Sequence, residues 1–259
     1  MRILLTVEYD GTAYSGWQRQ KNGLAVQEVI ESALSRILET EVKITGASRT
    51  DAGVHAKGQR FHFDTSARIP PDRYPFVLNT ELPPDIRVTE GRMVPDLFHA
   101  RFLSSRKQYT YRIYNRRHAS ALHRLYSVHV PVTLDVEKMQ SACQTLIGTH
   151  DFRAFQAVGG TAKTTIRTIY ACQIEKDGDM LILTIEGNAF LYNMVRIIAG
   201  TLIQIGQGKL PVRAFETALS SGSRLDLGPT APACGLELTT VGYPPAAFTS
   251  PELLRWHTE

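Results

Sequence analysis

The chain has 259 residues, 43% hydrophobic and 21% charged, with 29 Lys and Arg against 25 Asp and Glu for a formal net charge of +4. That balance suits one large or two small globular domains and argues against disorder. No run nears the ~20 consecutive apolar residues of a membrane span, and MRILLTVEYD lacks the build of a secretory signal. Cys143, Cys172 and Cys234 have neither disulfide-framework nor zinc spacing. The expectation is a reduced, cytoplasmic protein with no membrane and no metal.

In chain order, Ile3 to Tyr9 reads as a strand, followed by the glycine-bearing loop DGTAYSGWQ. A helix is predicted from about Ala25 to Leu38, where Val26, Val29, Ile30, Ala33, Leu34 and Ile37 recur at helical spacing. Short strands are predicted at Val42 to Ala47 and Gln59 to Asp64; in the second, Arg60, His62 and Asp64 alternate with Phe61 and Phe63. Beyond the proline-bracketed segment Pro70 to Pro84, strands are predicted around Ile86 to Thr89 and Lys107 to Asn115. The second half repeats the scheme: a helix near Val136 to Ile147, strands at Thr165 to Glu175 and Met180 to Glu186 joined by a DGD turn, and a helix from about Ala189 to Ile205. Another helix and a closing strand follow. Two α+β units without a residue-level repeat are expected, with Pro131 as a plausible hinge after a loop-like stretch from Arg116 to Arg124.

Between His99 and Arg124 stand seven Lys or Arg and no acid, interleaved with Phe102, Tyr109, Tyr111 and Tyr114. Cations hold phosphates and flat rings stack on bases, so this window fits a nucleic-acid partner; a basic, solvated sheet edge is the plainer alternative. The strand KQYTYRIYN sets Tyr109, Tyr111 and Ile113 on one face and Gln108, Thr110, Arg112 and Tyr114 on the other. Two tyrosines can thus face one cleft, or be half-buried sheet residues.

The densest group of reactive side chains is GASRTDAGVHAKG at residues 46 to 58, where Asp51 lies among Arg49, His55 and Lys57. A carboxylate flanked by cations stays ionised at neutral pH and can act as nucleophile or base. On the residues alone, the loop reads rather as a D-A-G turn, with the Asp side chain bonding nearby backbone and Gly53 at positive φ. In FLYNMVRIIAGTLIQIG, Arg196 shares a narrow polar side with Asn193, Gly200 and Gln204, placed to reach a carboxylate or merely to snorkel. GQGK at Gly206 to Lys209 follows its helix and reads as a stop, not a phosphate cradle; G-x-S-x-G and Walker motifs are missing.

Taken together, GASRTDAGVHAKGQ, YDGTAYSGWQ, KQYTYRIYN, HDFRAF, GNAFLYNMVRIIAG and APACGLELTTVGYP resemble, in order and over essentially the whole chain, the A-type tRNA pseudouridine synthases. The resemblance implies an α+β fold of two ferredoxin-like, RNA-recognition-like halves, each an antiparallel sheet with helices on one face, around a central basic cleft. It places an N-terminal domain at 1–115 and a C-terminal domain at 116–259. It implies isomerisation of uridine to pseudouridine at positions 38 to 40 of the tRNA anticodon stem-loop, by a homodimer needing no cofactor or metal. Asp51 takes the nucleophile's place, Tyr109 that of the active-site tyrosine with Tyr111 as the residue it could be confused with, and Arg196 that of the carboxylate's partner. Arg49, His55, Lys107, Tyr111, Arg112, Asn193 and Leu236 are implied at the substrate. A non-catalytic RNA-binding protein and an aspartyl-nucleophile hydrolase are the rival readings.

Overall fold

The computed structural model describes residues 1–250 and divides into two compact units, Met1–Ser105 joined by the segment that starts at Leu238, and Arg106–Glu237. The fold is mixed α and β, on mostly antiparallel sheet with few helices. No helix among the described residues is long and apolar enough to cross a membrane.

In the first unit β1 (Arg2–Tyr9) buries Ile3, Leu5 and Val7 completely. It leads through the DGTAYSGWQ loop into α1 (Val26–Leu38), whose Val26, Ile30, Ala33 and Leu34 face the core. The strand expected at Val42 to Ala47 shrinks to β2 (Thr45–Gly46). Its backbone is satisfied by helix side chains instead of a ladder: Val42 N donates to Ser35 Oγ (3.0 Å), and Ile44 N to the buried Glu31 Oε1 (3.1 Å). β3 (His55–Asp64) runs antiparallel to β1, Thr6 opposite Arg60 and Leu4 opposite His62. The proline-bracketed segment contains a helix, α2 (Tyr74–Glu81); Pro75 sits in its first turn, where a missing N–H costs nothing. β4 (Ile86–Val94) flanks the other side of β1.

In the second unit β5 (Arg106–Asn115) pairs antiparallel with β9, and the short β6 (Val128–Val130) lies parallel to it. Asp135 caps α3 (Val136–Gln144) by accepting from Lys138 N. β7 (Gly148–Asp151) and β8 (Ile166–Asp177) lead to β9 (Met180–Gly187); Gly178 turns the last hairpin at φ +58°. The helix expected from Ala189 begins only at Met194, as α4 (Met194–Gly206), because Asn193 occupies the left-handed region at φ 61°. The stop at Gly206 to Lys209 behaves as expected: α4 ends at Gly206 and Gly208 stands at φ +70°. α5 (Ala214–Ser221) follows, and β10 (Leu236–Gly242) carries the chain back to the first unit beside β3.

The units part before β5, not after residue 115, because the whole of β5 belongs to the β9 ladder. The closing strand, expected in the C-terminal half, completes the first unit from Leu238 onward.

Candidate active site

Asp51 opens a four-residue turn in the first unit. Val54 N donates to Asp51 O at 3.1 Å, and Gly53, at φ +75°, takes the position of such a turn that demands positive φ. The turn reading therefore holds for the backbone, while the residue itself stays half-buried. Turn and nucleophile do not exclude each other.

What fixes this turn is the loop after β1. Trp17 N donates to Thr50 O (3.1 Å), Gly53 N to Tyr14 O (3.2 Å), and the Tyr9 and Thr50 hydroxyls meet at 2.8 Å. The approach is so close that a Cβ on Gly11 would lie 2.0 Å from Val54 O, and one on Gly16 2.5 Å from Thr50 O. Gly16 also needs φ +88°. Tyr14 is anchored in turn by donating to Asp85 Oδ1 (2.7 Å); burial first, then Asp85, pushes its phenol pKa up.

Two further side chains hold the loop's ends. Gln59, fully buried, accepts from Ser48 N (3.2 Å) and donates to Ser48 O (2.7 Å). His55 is 6% exposed, and its Nδ1 accepts from Gly11 N at 3.1 Å. The same nitrogen lies 3.1 Å from Asp10 Oδ1, but one Nδ1 cannot accept and donate at once. Asp10 Oδ1 already accepts from Thr12 N and Oγ1, which leaves the amide contact as the hydrogen bond. His55 thus holds the loop entry, where the resemblance puts it at the substrate. Arg49 is exposed.

In the second unit Tyr109 is buried, its ring edge-on to Phe190 with centroids 5.1 Å apart. Tyr111 is fully buried and donates to Pro232 O (2.8 Å); burial pushes its phenol pKa far up. Gly235 lies against it so closely that a Cβ there would be 2.7 Å from the ring. Arg196 donates through Nε to Ala231 O and through Nη1 to Asn193 Oδ1, both at 2.8 Å. Arg196 is therefore oriented, not snorkelling. The polar side read beside it is closed over: a Cβ on Gly200 would lie 1.8 Å from Pro229 O. Leu236 is 5% exposed.

The basic window changes character in three dimensions. Arg106 pairs with Glu186 (2.8 Å), Arg112 with Glu237 (3.0 Å) and Arg116 with Asp179 (3.1 Å), acids that sequence distance hides. Lys107 stays half-buried on β5. Where the window begins, His62 Nδ1 accepts from Ala100 N, and His99 Nδ1 from Arg101 N and Phe102 N. The His99 ring stacks on Phe102, centroids 4.1 Å apart. Burial lowers the pKa of both histidines, that of His62 to about 4. Sequence reasoning missed Tyr9, Tyr14, Trp17 and Gln59 as supports of the Asp51 turn; the glycines at 11, 16 and 53 were the only outward signal.

The first unit thus carries a carboxylate turn clamped by a glycine loop, and the second a basic, aromatic strand on a mixed α/β fold. Residues 5–103 and 142–244 match the family model described as tRNA pseudouridine synthase. A tRNA pseudouridine synthase A from Ruminiclostridium cellulolyticum is 49% identical over 243 residues, 93% of this chain and 99% of that protein. One from Thermoanaerobacter sp. strain X514 is 46% identical over 241 residues, with 93% and 99% covered. One from Bacillus pumilus is 44% identical over 245 residues, with 94% and 99% covered. The chain belongs to the tRNA pseudouridine synthase family, isomerases that act on tRNA.

Proposed function

We infer that the chain converts uridine to pseudouridine at positions 38 to 40 of the tRNA anticodon stem-loop, with Asp51 as its nucleophile or base. The observation that carries this reading is the fixation of the Asp51 turn from both sides, by Trp17, Tyr14 and Tyr9 and by Gln59 and His55. A catalytic carboxylate needs a fixed position more than an ordinary surface turn does.

The reaction breaks the glycosidic bond, turns the ring and bonds C5 to C1′ with no net redox change. Asp51 attacks C1′, removes a proton from C2′ or adds to C6, and must be ionised in each case. Tyr109 serves at the base or moves the C5 proton at the end; the engagement of the Tyr111 hydroxyl by Pro232 O supports Tyr109 over Tyr111 in that part. Arg196 belongs to the same chemistry as the cation that favours the charged carboxylate. Extruding the uridine from its stack costs a few kcal/mol, which Arg49 and phosphate contacts from Lys107 help offset, with Leu236 under the base. Arg112 and Asn193 contact the substrate as well, Arg112 while paired with Glu237 and Asn193 while accepting from Arg196 Nη1. The proposed frame is two ferredoxin-like halves around a basic cleft, in a homodimer acting in the cytoplasm.

Asp51→Asn tests this. Incubation with unmodified tRNA, followed by mass-shift mapping, is expected to give no pseudouridine at 38 to 40 while tRNA binding persists. Product at the parent rate would remove Asp51 from the chemistry and leave the chain as a binding protein or an enzyme of another design.

A further inference from the structure

Arg60 and Arg92 stand apart from most arginines of the fold. Arg2, Arg19, Arg36, Arg106, Arg112, Arg116 and Arg153 each pair with a carboxylate. The guanidinium groups of Arg60 and Arg92 have no hydrogen-bond or ion-pair partner among the described residues; each lies over an aromatic ring. Arg60 sits 5.7 Å from the Tyr243 centroid and Arg92 4.1 Å from that of Phe248. Phe248 is itself stacked on Phe98, and Tyr243 is fixed by donating to Ala100 O.

Strand register puts both arginines in one recess. Gly91 lies against Pro71 O on the side of the sheet that carries α2, so alternation turns its neighbours Glu90 and Arg92 to the other side. Thr6 lies opposite both Arg60 and Glu90, and Leu4 opposite Arg92. The result is a cavity of about 350 Å³ lined by Leu4, Thr6, Arg60, Glu90, Gly91 and Arg92. Its floor is apolar and its charges are two cations against one carboxylate, which already accepts from the Thr6 hydroxyl (3.1 Å).

A guanidinium stacked on a ring keeps its edge donors in plane and unspent, the arrangement that grips a phosphate bidentately. Two such forks against the single Glu90 carboxylate leave the recess net positive, which favours a further anion. We propose that this recess is a phosphodiester site of the RNA substrate, in which one backbone phosphate is held between Arg60 and Arg92 and anchors the RNA on the sheet of the first unit. The site rests on the reading that RNA is the substrate. It lies in β1, β3 and β4, outside the Asp51 turn and outside the 99–124 window.

The test is equilibrium binding of unmodified tRNA to the full chain and to Arg60→Gln, Arg92→Gln and Arg92→Lys across a salt series, with steady-state pseudouridine formation measured alongside. Each Gln variant should bind about tenfold more weakly and lower the slope of log affinity against log salt by about one. The loss should fall on KM, not kcat. Lys at 92 should keep most of the slope while losing part of the affinity, because it retains the charge without the fork. Unchanged slopes in both Gln variants would overturn the proposal. Should Arg60→Gln prove misfolded by melting, the exposed Arg92 decides alone. If the parent chain binds tRNA but forms no pseudouridine, the functional reading fails while the slopes still report on the recess.

Discussion

Tyr109 and Tyr111 show how much one residue's partners decide. Both stand on the same face of β5, and spacing alone cannot separate them. The fold gives the Tyr111 hydroxyl to Pro232 O in a fully buried setting. Tyr111→Phe should therefore cost about 1 to 2 kcal/mol of stability by leaving that carbonyl without its donor, read as a lower denaturant midpoint. Pseudouridine formation by the folded variant should stay near the parent level. A variant as stable as the parent but inactive would make Tyr111 the active-site tyrosine. Asp51 teaches the complementary lesson: the turn that competes with the nucleophile reading in the sequence is, in the fold, a fixed backbone from which the proposed nucleophile would act.

At the scale of elements, the loops after β1 and β2 each need the other. Gly11 and Gly16 allow the first to close on the backbone of Thr50 and Val54, and Gly53 turns the second. A similar joint holds Phe98 to Phe102, where His62 and His99 accept backbone amides through their Nδ1 atoms. Protonating Nδ1 would abolish that acceptor, and burial already disfavours the charge. Because the folded pKa of His62, about 4, lies below its unfolded value of 6.5, the unfolded state binds more protons between them. Stability from this histidine is present above pH 6.5 and lost as pH falls toward 4, on the order of 3 kcal/mol in all. Melting temperature should fall across that window, with His99 adding in the same direction. In His62→Asn, whose side-chain oxygen accepts without titrating, the fall should be smaller; an equal fall would assign it to other groups.

At the scale of the whole molecule, net charge misleads where pairing is long-range. The window from His99 to Arg124 holds all its cations in a row, yet Arg106, Arg112 and Arg116 meet Glu186, Glu237 and Asp179 from remote strands and turns. A cation already paired releases fewer counterions on binding RNA. Arg116→Gln should therefore change the salt slope of tRNA binding by clearly less than one, whereas seven free cations would each contribute about 0.7 to 0.9. A full unit lost on this substitution would show that RNA displaces Asp179. Chain connection matters here too. The first unit is finished only from Leu238 onward, so its sheet awaits β10, the last strand among the described residues.

What the sequence determined by itself is what short-range pattern records. Apolar periodicity marked β1, α1, β3 and the β8–β9 hairpin, and the order of RTDAGVHA, FLYNMVR and their companions marked the family. The start of α4 was hidden because one left-handed Asn193 overrides a helical pattern. The Val42 to Ala47 pattern yields only the two-residue β2 because Glu31 and Ser35 satisfy its backbone from α1. Only the tertiary structure decided which glycines bring two loops into contact, which arginines find acids and which keep their donors free. Those outcomes depend on strand register and on residues as far apart as Arg60 and Tyr243, and local pattern carries no information over such distances.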